Sequence, residues 1–139
     1  HALAEENPHG SAQELTEALE ARIEELGYNL DTWAGRHADR RAHAIVDNLA
    51  SYMACVPGRV EVERSVEAQV EGVTIRGRMD RLEHVDEGVR VTDLKTGKSG
   101  HSAKTVPDNP QLAAYQMALL ASGERVVGAR IALLGDKKA

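Results

Sequence analysis

One cysteine, Cys55, stands among 139 residues. An intramolecular disulfide is therefore excluded, and neither a multi-cysteine zinc site nor an iron-sulfur cluster can be assembled from this stretch of chain. Phenylalanine is absent, and Trp33 and three tyrosines are the whole aromatic complement. The core must then be filled by Val, Leu, Ile, Ala and Met, and flat rings on which nucleic-acid bases could stack are scarce. No run of about 18 apolar residues occurs, and no basic-then-apolar pattern opens the chain. A soluble, cytoplasmic protein without a membrane span is the expectation.

Charge is unevenly spread. The net value is −5, yet residues 1–71 carry −8, residues 72–104 carry +2 and residues 105–139 carry +1. Affinity for nucleic acid is dominated by Lys and Arg neutralising phosphates, so an acidic total argues against autonomous tight binding, and the basic middle is where a polyanion would sit.

Ser11 followed by Glu14 is a capping-box pattern; Leu15, Leu19, Ile23 and Leu26 then recur at helical spacing up to Gly27, a left-handed cap candidate. A second helix is predicted over residues 38–53, with Ile45, Val46, Leu49 and Met53 on one face and Pro57-Gly58 beyond it. Residues 1–6 read as the last turns of another helix. From Val60 the period changes to two, giving a strand over 60–70 with valines on one face and Glu61, Glu63, Glu67 and Gln69 on the other. Glu71-Gly72 turns the chain into a second strand with a polar face that ends on Asp80. The segment 84–88 reads as a turn, 89–95 as a third strand, 96–110 as a polar loop, 111–121 as a helix and 128–134 as a last strand. This order predicts an α/β (α+β) domain with a mixed, mainly antiparallel sheet flanked by helices and with N-terminal helices.

The third strand breaks its own pattern. Asp93 and Lys95 occupy the face on which Val89 and Val91 have just been buried, and burying charges is costly unless they are paired or bind an ion. On Asp93 and Lys95 alone, a solvated ion pair on an edge strand is as good a reading. Asp80 lies 13 positions before Asp93 on the adjoining strand, so the two can meet. Carboxylates about 4 Å apart repel by roughly 4 kcal/mol at an effective dielectric near 20, and Lys95 offsets only one charge. Oxygen donors without a thiol cluster favour Mg²⁺ or Mn²⁺. Thr96-Gly97-Lys98-Ser99 imitates the end of a phosphate-binding loop, but its required first glycine would fall on Thr92 in mid-strand, which rules out a nucleotide-triphosphatase site of that kind. His9, His37, His43, His84 and His101 have no mutual metal-ligand spacing.

Four motifs in order, His1, Gly77-Arg78-Met79-Asp80, Asp93-Leu94-Lys95-Thr96-Gly97 and Gln111 to Tyr115, resemble the PD-(D/E)XK nuclease superfamily, and their flanking pattern looks like its RecB branch. The resemblance spans nearly the whole chain and implies a restriction-endonuclease-like core: one domain over 1–139, helical over 1–56 and with the catalytic sheet over 57–139, belonging to a larger chain. It implies that His1, Asp80, Asp93 and the main-chain carbonyl of Leu94 ligate Mg²⁺ or Mn²⁺ and that Lys95 faces the attacking water. It further implies that Gln111 and Tyr115 position Lys95 or the DNA backbone. Arg76, Arg78 and Arg81 are candidate DNA contacts, although a solvated strand face fits them nearly as well. The implied activity is DNA cleavage, on single strands during double-strand-break repair, with a helicase domain or subunit as partner, as in RecBCD-, AddAB- and AdnAB-like machines. Some relatives carry a four-cysteine iron-sulfur cluster, which Cys55 alone cannot supply. Two rivals remain: a non-cleaving module that binds DNA or a partner, and a Mg²⁺-dependent phosphohydrolase of small nucleotides.

Overall fold

A computed structural model describes residues 1–97 and 107–135 and shows α1 (Ala2–Glu6), α2 (Ala12–Leu26), α3 (Trp33–Ala54), β1 (Val60–Val70), β2 (Val73–Val85), β3 (Gly88–Lys95), α4 (Pro110–Ala121) and β4 (Val126–Leu133). The chain divides into two compact units: His1–Pro57 with residues 95–97 and 133–135, and Gly58–Leu94 with residues 107–132. Most of the predicted 96–110 loop, including Lys98, Ser99 and His101, lies outside the described residues.

In the first unit, α1 and α3 both pack on α2. The capping box forms: the Ser11 hydroxyl accepts from Glu14 N–H, and the Glu14 carboxylate accepts from Ser11 N–H at 2.8 Å. Gly27 closes α2 at φ 66, a left-handed backbone that favours glycine. Leu15 and Leu19 of α2 and Val46, Leu49, Ala50 and Met53 of α3 are buried. Ser11→Ala is expected to lower the unfolding free energy by about 1 kcal/mol, read from the urea midpoint at an unchanged slope. Helix α3 starts five residues before the predicted boundary, at Trp33. The Thr32 hydroxyl caps it by accepting from Gly35 N–H, a local signal that the apolar periodicity starting at residue 38 does not carry.

The second unit is built on a sheet of order β1-β2-β3-β4. β1, β2 and β3 are antiparallel neighbours. Val89 N–H donates to the Arg125 carbonyl near the start of both β3 and β4, and Leu134 N–H donates to the Lys95 carbonyl near the end of both, so β4 runs parallel to β3. That makes the sheet mixed, with α4 as the crossover between parallel neighbours. Glu71 and Gly72 both have positive φ, the two-residue hairpin geometry anticipated there. The second turn is tighter than predicted. Val85 pairs with Gly88, leaving only Asp86-Glu87 between strands, so His84 and Val85 belong to β2. Helix α4 packs on β1 and β2, and Leu112, Ala118 and Leu119 join Val66, Met79, Leu82, Val89 and Val91 in one apolar core. Met117 and Leu120 of this helix are exposed.

β3 is buried along both faces between Val91 and Leu94. Burial on both faces removes the alternation of a strand with one solvated face.

Candidate metal centre

The β2–β3 hairpin carries Asp80 and Asp93. Its last paired residues are Arg81 and Thr92, and one position further the register brings Asp80 opposite Asp93. Asp93 retains only 9% exposure, whereas Asp80 is half-buried. The Leu94 N–H donates to Asp80 Oδ2 at 2.9 Å, tying the carboxylate of one strand to the backbone of the next. Lys95 closes β3 two positions beyond Asp93 and is half-buried.

A third acid was not among the expected residues. In β1 the ladder to β2 is continuous except at Glu63, which has φ 49 and lies directly across from Asp80. A left-handed glutamate in mid-strand costs on the order of 1 kcal/mol, and such strain gathers at functional sites. The carboxylate oxygens of Glu63 and Asp80 come within 4.8 Å of each other. At an effective dielectric near 20 that proximity costs about 3 kcal/mol. Arg78 Nε meets Glu63 Oε2 at 2.7 Å and offsets part of it. The pairing was open to sequence reasoning: eight residues back from Glu71 and eight forward from Gly72 lead to Glu63 and Asp80.

The remaining expected residues are placed as follows. His1 is the N-cap residue of α1, in the first unit, and is exposed. The Gln111 amide donates to the Tyr115 hydroxyl at 3.0 Å, and that hydroxyl donates to the Arg78 carbonyl at 2.9 Å. Arg76 holds Glu67 through two hydrogen bonds at 2.9 and 3.3 Å and remains largely exposed. Arg81 corrects its expectation as a DNA contact. It is fully buried, with Nε on Glu83 Oε1 at 3.2 Å, so its guanidinium cannot reach a phosphate from this position. The other oxygen of Glu83 accepts from Arg90 at 3.0 Å and from Arg130 at 2.9 Å. Much of the positive charge counted in the middle of the sequence is thus held by glutamates within the sheet.

Nearby, burial pushes the Glu61 carboxyl up, but the His84 imidazole, 2.7 Å away, and the Arg64 guanidinium outweigh it and leave the pKa below the ordinary carboxylate range. Glu61 is therefore held as an anion by its own partners.

The carboxylates of Glu63 and Asp80, within 4.8 Å of each other, are oxygen donors suited to a hard divalent cation. A family model described as the PD-(D/E)XK nuclease superfamily matches residues 1–138. The chain belongs to that superfamily. The mixed four-stranded sheet, with α4 as its crossover, is consistent with a restriction-endonuclease-like fold. No curated protein matches the chain in the comparison made. Among the described residues, no helix is long and apolar enough to cross a membrane. Superfamily membership supports a nuclease, a class of enzyme that in this superfamily generally uses divalent metals.

Proposed function

We propose that the chain is a Mg²⁺- or Mn²⁺-dependent deoxyribonuclease of the RecB type that trims single-stranded DNA during double-strand-break repair. The observation that carries this reading is the approach of the Glu63 and Asp80 carboxylates to within 4.8 Å, with buried Asp93 and terminal Lys95 on the strand next to that of Asp80. Asp80, Asp93, the Leu94 carbonyl and His1 are the proposed ligands, and Glu63 is a further carboxylate at hand beside Asp80. A bound divalent cation supplies Lewis acidity toward the phosphoryl oxygens and lowers the pKa of water.

The chain's own contribution is to orient and stabilise. The Lys95 ammonium holds the attacking water in line with the scissile bond and stabilises it as it becomes hydroxide. A new P–O bond forms to the water oxygen, whose proton passes to solvent, while the bond to the departing sugar oxygen breaks and that oxygen takes up a proton from solvent. No covalent enzyme intermediate is required. Because Arg76 and Arg78 are engaged by Glu67 and Glu63, the backbone of the substrate must compete for them. This suits a domain to which a helicase partner delivers the strand.

End-labelled single-stranded DNA, duplex DNA and a nucleoside triphosphate are to be incubated separately with the protein in Mg²⁺, Mn²⁺ or EDTA. Shortening of the single strand only with metal is the expected result. DNA that is bound but left intact would instead identify a non-cleaving module, and turnover of the nucleotide alone would identify another phosphohydrolase.

A further inference from the structure

Asp80 sits where the backbone pairing of β2 thins. On one side, the ladder to β3 ends at Arg81 with Thr92, so residues 77–80 of β2 run beyond it. On the other, the ladder to β1 is interrupted opposite Asp80, at left-handed Glu63. The Leu94 N–H holds Asp80 Oδ2 from β3, but the backbone that carries this carboxylate has weakened pairing on both flanks, and a further hold on that backbone steadies the oxygens for a metal ion.

Tyr115 occupies that place. Its ring lies against Gly77 so closely that a Cβ there would come within 2.3 Å of Cε1 and 3.2 Å of Cδ1 and Cζ. Only a residue without a side chain admits the ring. The hydroxyl then donates to the Arg78 carbonyl, two residues before Asp80, and itself accepts from the Gln111 amide one helical turn back. Helix α4 is a firm base for this contact: the Asn109 side chain caps it by accepting from Gln111 and Leu112 N–H, Pro110 opens it, and Leu112 is buried in the core. We infer that Tyr115 is a positioning residue that clamps residues 77–80 of β2 through Gly77 and the Arg78 carbonyl and so places the Asp80 carboxylate for metal binding. The inference rests on the metal site proposed above. It assigns Tyr115 to the strand, and not to Lys95 or to DNA.

The test is Mn²⁺ titration calorimetry on the wild-type protein, Tyr115→Phe and Asp80→Asn, with hydrogen-exchange mass spectrometry on the metal-free proteins. Tyr115→Phe keeps the ring and removes only the hydroxyl. It is expected to weaken Mn²⁺ binding about 10-fold, to speed exchange of the amides of residues 77–81, and to lower the thermal midpoint by only about 4 °C. Gln111→Leu, at an exposed position, should move the same readouts in the same direction by less. In DNA cleavage, kcat should fall with KM unchanged. If Tyr115→Phe loses thermal stability but binds Mn²⁺ as the wild type does, while Asp80→Asn does not, the positioning role is overturned and the metal site stands. A raised KM with unchanged metal affinity would likewise overturn it in favour of a DNA contact. Wild-type protein that takes up no Mn²⁺ would overturn the site reading and the clamp together. A mutant cycle closes the argument. Gly77→Ala should be strongly destabilising when Tyr115 is present and far less so in the Tyr115→Leu background, and equal losses in the two backgrounds would refute the ring contact.

Discussion

Lys95→Ala is expected to slow DNA cleavage by about 10²–10³-fold, the usual loss when a single group that stabilises developing negative charge is removed. Because Lys95 is half-buried at the very end of β3, its side chain contributes little to the core. Thermal unfolding and Mn²⁺ affinity should therefore stay close to wild type. Lys95→Arg should not restore the rate: the flat, forked guanidinium neither occupies the ammonium's place nor presents a compact charge to one water. Single-turnover cleavage under saturating Mn²⁺ separates the chemical step from product release. A purified Lys95→Ala protein that cuts at the wild-type rate would remove the ammonium from the reaction.

The largest loss of stability is expected at a residue with no part in cleavage. Glu83 is fully buried, and its two oxygens accept from Arg81, Arg90 and Arg130. Removing one member of a buried ionic group leaves the others charged and desolvated, which typically costs about 3–5 kcal/mol. Glu83→Ala should thus shift the urea midpoint far more than a surface change would, and on the scale of a domain this size the thermal midpoint should fall by about 10 °C or more. The fully buried partner, Arg81, is adjacent in sequence to Asp80. A loss below about 1 kcal/mol would mean that the guanidiniums find other partners or water when the carboxylate is gone.

The candidate site was visible in the sequence because it violates the folding pattern. Asp93 and Lys95 on the valine face of a strand cannot be explained by burial alone, and the Glu71-Gly72 turn already determined which residues of β1 and β2 stand opposite. Local signals of the same kind, the Ser11 capping box and the Gly27 stop, placed α2 without help from the rest of the chain. Glu63 was passed over for the opposite reason. It falls in an alternating run of acids that reads as a solvated face, and its left-handed backbone appears only once β1 is docked against β2.

The arginines show where sequence reasoning ends. Arg76 and Arg78 share one face of β2 and look equivalent, whereas Arg81 has the parity of Met79 on the opposite face. Arg76 is exposed beside Glu67, Arg78 reaches Glu63, and Arg81 is sealed inside the sheet on Glu83. The sign of a charge is written in the residue, but its partner and its contact with solvent depend on strands that are distant in sequence and on the twist that brings them together. By itself the sequence determined most of the elements, the register of the first hairpin and the candidates for a site, since these follow from periodicity, turn geometry and side-chain chemistry over a few residues. Only the tertiary structure decided which acids converge, which arginines remain outside and that Tyr115 grips the strand bearing Asp80, because each of these depends on long-range packing and on the loss of water that comes with it.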